Sequence, residues 1–249
     1  MGLINPNKKY KKLVTSGCSF TQGHKLGEKV SWGYNLAQLL NCEHINKGMG
    51  GSSNQHILSK IINYCENNDM TDCCVGIQWS EITRREMWIK KDQNYFVFNM
   101  SATNENVINI GRKPSELFFI KDNPYFFEDI WFDTIENLLR TINSIILAKS
   151  YLESKNIDYV MFEGLLSILD KDLDFEVNKN NIELTLINKE YRQSLLKNNT
   201  FFTEYGDMIS NMRNHPLYDS VPNDGHPNLE FVKWWVQEMY DYMLNQFLI

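Results

Sequence analysis

The hydrophobic and polar positions along the chain form short apolar runs separated by segments with apolar residues at helical spacing. Apolar runs begin at Leu13, at 44–46 and at 72–79, and each has the length of a buried strand. Between them, 33–41 and 54–67 place leucine and isoleucine three and four residues apart, which predicts amphipathic helices. Alternation of strand and helix in this order predicts a doubly wound α/β sheet with right-handed crossovers.

The second half of the chain is less regular. A stripe of isoleucine and leucine predicts a long helix over about 128–155, followed by a strand at 158–162 and a last helix over 229–247. Shorter helices are expected at 188–196 and 205–212. The segments 90–127 and 165–214 are interpreted as insertions, the first with a hairpin around 95–100. We therefore expect one domain over 1–249 that carries these two insertions.

Composition narrows the class of protein. The chain has 249 residues, of which 43% are hydrophobic, and a formal net charge of −6, so nucleic acid is not expected as a partner. Five cysteines are present, and Cys73 and Cys74 are adjacent, which favours reduced thiols. Neither a signal-peptide core nor a run of ~18 apolar residues is found, so we expect a cytoplasmic protein without a membrane span.

Four loops carry the residue types of a catalytic site. Three follow predicted strands, and the fourth precedes the last helix. They are Gly17-Cys18-Ser19-Phe20-Thr21, Asn46-Lys47-Gly48-Met49-Gly50-Gly51-Ser52-Ser53, Gly76-Ile77-Gln78-Trp79-Ser80 and Asn223-Asp224-Gly225-His226-Pro227-Asn228. This arrangement resembles the SGNH (GDSL-type) hydrolase superfamily over nearly the whole chain. The resemblance implies a three-layer α/β/α sandwich with a mostly parallel, flavodoxin-like central sheet.

The resemblance also implies a role for each loop. Ser19 would be the nucleophile and His226 its general base, because a serine hydroxyl needs an adjacent base to attack an ester. Asp224 would hold the imidazole in the correct tautomer. The oxyanion hole would be formed by the Ser19 N–H, the Gly51 N–H and the carboxamide of Gln78.

Three positions depart from the family pattern. Cys18 replaces the usual aspartate beside the nucleophile and is itself a rival nucleophile. Gln78 stands where the family has asparagine and adds one methylene. Asp224 lies two residues before His226 instead of three, and Asn223 occupies the usual spacing. Either residue would orient the histidine; we favour Asp224 because an anion stabilises the imidazolium that forms.

Two further residues are candidates for binding substrate. Arg84, in the segment 83–86 after the third strand, would hold an anionic or sugar substrate, although a solvated helix start explains this segment equally well. Trp79 is a second candidate, with a buried core aromatic as the alternative. His24, His44 and His56 lack metal-ligand spacing, and no phosphate-binding glycine motif is found. We therefore expect neither a metal nor a cofactor.

These features predict a serine esterase that hydrolyses a small acyl ester. The resemblance suggests an O-acetyl group on a carbohydrate. One alternative is a catalytically weak SGNH-like domain used for binding or assembly. The high content of Asn, Lys and Ile suits an AT-rich phage or bacterial genome, in which such a domain would serve in a virion. An O-acyltransferase that uses the same residues is the other alternative.

Overall fold

The computed structural model describes residues 2–24, 27–89, 94–99, 134–165, 189–217 and 225–248. The strands are β1 Lys12–Ser16, β2 Glu43–Asn46, β3 Cys73–Trp79, β4 Arg84–Ile89, β5 Asn94–Asn99 and β6 Asp158–Glu163. The helices are α1 Ser19–Gln22, α2 Trp32–Leu39, α3 Asn54–Glu66, α4 Thr134–Ser154, α5 Lys189–Leu196, α6 Met208–Asn214 and α7 Leu229–Asn245. A short 3₁₀ helix spans Glu28–Val30.

The central sheet has four parallel strands in the order β2-β1-β3-β6. β1 lies between β2 and β3, with Val14 opposite Ile45 on one side and Val75 on the other. All seven residues of β3 are buried, as expected for a parallel strand covered on both faces. The order reverses beside β1, so this sheet has the topological switch point of a doubly wound fold, and the predicted flavodoxin-like arrangement is confirmed.

Helices cover both faces of the sheet and produce two separate hydrophobic clusters. One cluster joins α2, α6 and α7 to the sheet and includes Leu36, Met208 and Trp235. The other joins α3 and α4 to the opposite face and includes Ile57 and Ile142. One hydrophobic core on each face of a single sheet is typical of a three-layer α/β/α sandwich, which confirms the predicted fold class.

The segment after β3 folds differently from one of the two interpretations offered for it. β4 pairs with β5 in an antiparallel hairpin, with Arg84 opposite Asn99. A helix starting near Thr83 is therefore wrong, because these residues lead into a strand. A hairpin is present as predicted, but not within 95–100: Asn94–Asn99 is its second strand, and its first strand begins at Arg84.

The helix predicted at 205–212 begins later, at Met208. Gly206 has a φ of +81°, which is incompatible with a right-handed helix at that residue. Asp207 then caps the helix by accepting a hydrogen bond from the Ser210 N–H at 2.8 Å.

Some predictions lie outside the described residues. They are the start of the long helix at 128–133, most of the first insertion and the part of the second insertion at 166–188. All five cysteines are free thiols, as the sequence predicts. Among the described residues, no helix has the length and hydrophobicity needed to cross a bilayer.

Candidate active site

Ser19 is placed at the carboxyl edge of the sheet by the turn that follows β1. β1 ends at Ser16, Cys18 has extended backbone angles, and α1 begins at Ser19. The first N–H groups of a helix have no partner within the helix. The N–H of Ser19 is therefore one of the donors that the local fold leaves for other acceptors.

The loop after β2 is fixed against this turn by backbone hydrogen bonds. The Lys47 N–H donates to the Thr15 carbonyl at 2.7 Å, and the Met49 N–H donates to the Gly17 carbonyl at 3.1 Å. Gly51 follows with a φ of +76°, a conformation that favours glycine. The structure thus brings the loop of Gly51 to the same edge of the sheet as Ser19.

Gln22 and Asn46 also hold the two loops together. Asn46 belongs to one of the four loops that resemble the family but was given no role, and Gln22 was not among the candidate residues. Gln22 Oε1 accepts a hydrogen bond from the Gly50 N–H at 2.8 Å. Asn46 Nδ2 donates to the Thr21 carbonyl at 2.9 Å, while its Oδ1 accepts from the Gly48 N–H at 2.8 Å. In the sequence, the signal that these two residues belong to the site was their position, since Gln22 ends α1 and Asn46 ends β2.

His226 reaches the site from the other end of the chain. It lies just before α7, whose first turn is capped by Asn228 Oδ1 accepting from the Phe231 N–H at 2.8 Å. The imidazole packs edge-on against Phe20, with ring centroids 5.5 Å apart. The packing of α7 against α2 holds this segment beside the Ser19 turn.

Ser19 and His226 line one cleft of about 210 Å³. The cleft is formed by the α1 turn, the 3₁₀ helix and the start of α7. Its lining residues are Ser19, Phe20, Gly23, His24, Val30, His226 and Pro227.

His24 is a second imidazole in this cleft; the sequence showed only that it lacks metal-ligand spacing. Its ring centroid lies 4.8 Å from that of His226, with the ring planes tilted by 33°. His24 is only five positions after Ser19 in the sequence, and this proximity was the signal that it belongs to the site.

The carboxamide of Gln78 is buried beneath the Ser19 turn. Its Oε1 accepts from Thr21 Oγ1 at 2.6 Å, and its Nε2 donates to Cys18 Sγ at 3.1 Å. The residue is 0% exposed, and a Cβ on Gly164 would collide with its carboxamide. Both polar ends of Gln78 are thus directed at the turn that carries Ser19.

Cys18, the rival nucleophile, is buried and 0% exposed. Its Sγ accepts the hydrogen bond from Gln78 and lies 4.0 Å from Ser19 Oγ. Ser19, by contrast, lines the cleft. The geometry therefore favours Ser19 over Cys18 for attack on a bound ester.

Trp79 and Arg84 lie in different environments. Trp79 is 1% exposed within the α3–α4 core, so its burial favours the interpretation as a core aromatic over contact with substrate. Arg84 lines a separate cleft beside α3 and α4. Asp224 and Asn223 lie outside the described residues, so the acid that orients His226 stays a prediction.

Among known proteins, matches to this chain are found in solved structures. No protein-family model and no curated protein matches the chain. Solved structures that match it include members of the lipolytic G-D-S-L family and an SGNH-hydrolase family esterase. A member of the lipolytic protein G-D-S-L family from Veillonella parvula is 13% identical with a TM-score of 0.46, covering 93% of this chain and 98% of that chain.

Two esterases match to a similar extent. The psychrotrophic esterase EstA from a Pseudoalteromonas species is 12% identical with a TM-score of 0.47, covering 95% of this chain and 98% of that chain. A variant of Axe2, an acetyl xylan esterase from Geobacillus stearothermophilus, is 13% identical with a TM-score of 0.47, covering 95% and 97%. Similarity of this degree carries no information on activity or substrate, which depend on the site itself.

Proposed function

We propose that the protein is a serine esterase in which Ser19 is the nucleophile and His226 the general base. The observation that carries this proposal is the shared cleft, which brings together two residues from opposite ends of the chain. A serine beside an imidazole is the minimum arrangement for nucleophilic catalysis of acyl transfer.

The reaction follows from the chemistry of these two groups. Ser19 Oγ attacks the ester carbonyl while the imidazole of His226 takes the hydroxyl proton. The tetrahedral intermediate collapses, the bond to the alcohol breaks, and the imidazolium returns the proton to the leaving oxygen. Water, deprotonated by the same imidazole, then attacks the acyl-enzyme and releases the acid and free Ser19. We propose Asp224 as the residue that orients His226 throughout.

We propose the backbone N–H groups of Ser19 and Gly51 as the donors to the oxyanion. Gln78 is given a positioning role in this proposal, because its carboxamide is bonded to Thr21 and Cys18. It fixes the turn on which the Ser19 N–H and hydroxyl are presented. Backbone donors held in advance stabilise the developing charge without reorganisation during the reaction.

As a further part of the proposal, the acyl group is small, such as acetyl, and the alcohol is a carbohydrate hydroxyl. Both are suggested by the resemblance of the four loops to SGNH hydrolases. Acetate release from an acetylated oligosaccharide tests this part separately from the catalytic mechanism.

The proposal is tested by hydrolysis of p-nitrophenyl acetate and p-nitrophenyl octanoate. Wild type is expected to prefer the acetate, and Ser19→Ala to lose at least about 10⁴-fold in kcat because the nucleophile is gone. Ser154→Ala, at the exposed end of α4, is the matched control and should retain full activity. Equal activity in wild type and Ser19→Ala would remove Ser19 as the nucleophile. An inactive wild type would favour the binding or assembly role.

A further inference from the structure

A second cleft opens at the carboxyl edge of the sheet, on the side of α3 and α4. It lies beside the start of α3, the segment that follows β3 and the first turns of α4. The lining residues are Asn54, Gln55, Ile82, Arg84, Arg85, Asn137, Arg140 and Thr141.

Two side chains in this cleft carry buried donors without a hydrogen-bond acceptor. Among the described residues, Asn137 Nδ2 and the Nε and Nη1 atoms of Arg84 have no hydrogen-bond partner. Asn137 is 1% exposed, so bulk water does not satisfy its amide. Buried donors in native proteins are nearly always satisfied, and an unsatisfied group indicates a missing water, ion or ligand.

The charge around the cleft also favours an anion. Arg84, Arg85 and Arg140 contribute three guanidinium groups, which face the carboxylates of Glu81 and Glu136. Glu136 is shared by Arg85 and Arg140 at 2.7 and 2.8 Å, whereas Glu81 lies 3.5 Å from Arg84 Nε.

Arg84 is therefore the guanidinium with the greatest remaining capacity to donate. A third carboxylate nearby, Glu86, is bonded to Ser53 Oγ at 2.5 Å and does not line the cleft. The cleft itself thus carries a surplus of positive charge.

The remaining groups fix the Asn137 side chain and the elements around the cleft. Asn137 Oδ1 accepts from Arg85 Nε at 2.6 Å, which fixes the orientation of its amide. Asn54 Nδ2 donates to Thr141 Oγ1 at 3.0 Å and to the Ser80 carbonyl at 3.1 Å, which joins α3, α4 and the end of β3. The amide of Asn137 is thus held in one orientation on α4.

We infer that this cleft binds an oxyanion, either a carboxylate or a phosphate group, through Arg84 and Asn137. A guanidinium matches the geometry of both groups, because its N–H donors form parallel hydrogen bonds to two oxygens. The Asn137 amide supplies one further donor to the same anion. The inference is independent of the proposed esterase activity, and its test requires no catalysis.

The test measures binding of inorganic phosphate and of malonate by calorimetry at constant ionic strength. Asn137→Asp is the sharpest variant, because it keeps the acceptor for Arg85 and replaces the unsatisfied amide with an oxygen. Arg84→Gln removes the guanidinium. Arg213→Gln, on the exposed surface of α6, removes the same charge from the opposite layer and is the matched control.

Wild type and Arg213→Gln should bind at least one of the two anions with the same affinity. Asn137→Asp and Arg84→Gln should each bind it about tenfold or more weakly, the loss expected when a hydrogen bond to a charged group is removed. Thermal melting in the absence of anion shows whether each variant is folded. Equal affinity in all four proteins, or no binding of either anion to wild type, would overturn the inference.

Discussion

Gln78 is the residue whose environment in the structure differs most from the role that the sequence suggests for it. In the sequence it occupies the position of a side-chain oxyanion donor, but its carboxamide lies under the Ser19 turn, bonded to Thr21 and Cys18. A direct donor and a positioning residue have different consequences when they are removed, so a substitution distinguishes them.

We predict that Gln78→Met lowers stability and activity together. Thr21 Oγ1 loses its buried acceptor, which should cost about 1–3 kcal/mol in the free energy of unfolding. The kcat should fall by about tenfold or less, because the donors at Ser19 and Gly51 remain. Urea unfolding and p-nitrophenyl acetate kinetics measure the two effects. A loss of ~10²–10³ in kcat with unchanged stability would instead identify Gln78 as a direct donor.

His56, on the buried face of α3, should make stability depend on pH. Burial, together with the nearby Lys60, lowers the pKa of this imidazole to about 4. The unfolded chain takes up the proton near pH 6.5, whereas the folded protein does so only near the lowered value. The free energy of unfolding should therefore fall as the pH drops from about 6.5 to about 4, with a slope of at most ~1.4 kcal/mol per pH unit from this group.

His56→Gln removes this titration, and the free energy of unfolding should depend less steeply on pH over that range. Urea unfolding at several pH values measures the slope in both proteins. An unchanged slope in the variant would show that His56 does not cause the dependence.

Sequence patterns identify residues of the site when local chain geometry determines their position. Ser19 lies in the turn just after a strand, and His226 lies in the segment just before a helix, so both could be assigned to one edge of the sheet. His24 and Gln22 could not be assigned, because their roles depend on the distance to His226 and Gly50, which are remote in sequence. The burial of Gln78 likewise depends on Gly164, contributed by the end of β6.

At the scale of elements, the start of α7 links the fold to the chemistry. His226 lies two residues before Asn228, whose side chain caps the helix. The cap fixes the direction in which the chain enters α7, and Phe231 in its first turn is fully buried. The position of the imidazole therefore depends on this helix terminus.

We predict that Asn228→Ala costs about 1 kcal/mol in stability and also lowers kcat/KM. The loss of the cap frees the first turn of α7 and displaces His226 from Ser19. Asp207→Ala removes the equivalent cap of α6 and is the control; it should lose similar stability and keep kcat/KM. Thermal unfolding and ester hydrolysis measure both quantities. Equal kcat/KM in wild type and Asn228→Ala would contradict the dependence of the site on this cap.

The hydrophobic periodicity of the chain was sufficient to predict the elements of the central sheet and its flanking helices. It was not sufficient to predict the start of the hairpin of β4 and β5, because the charged residues at 84–86 resemble a solvated helix start. Arg85 is in fact buried, at 8% exposure, and is bonded to Asn137 and Glu136 from α4. Contacts of this kind override local propensity and cannot be derived from composition.

At the scale of the whole molecule, two clefts lined by described residues lie at one edge of the parallel sheet. One holds Ser19 and His226 beside α1 and α7, and the other holds Arg84 and Asn137 beside α3 and α4. Ligands of open α/β sheets bind beyond the carboxyl ends of the strands, where the strand order reverses. β1 lies at this reversal, and the segment that follows it carries Ser19.

The most direct test of the central claim is covalent labelling with a fluorophosphonate, followed by mass spectrometry of the labelled peptide. An activated serine forms a stable phosphonyl adduct, whereas an ordinary serine does not react. We predict one adduct per chain, located at Ser19, and none in folded His226→Ala under the same conditions. Absence of labelling in wild type, or an adduct at Cys18 or another residue, would contradict the assignment of Ser19 as the nucleophile.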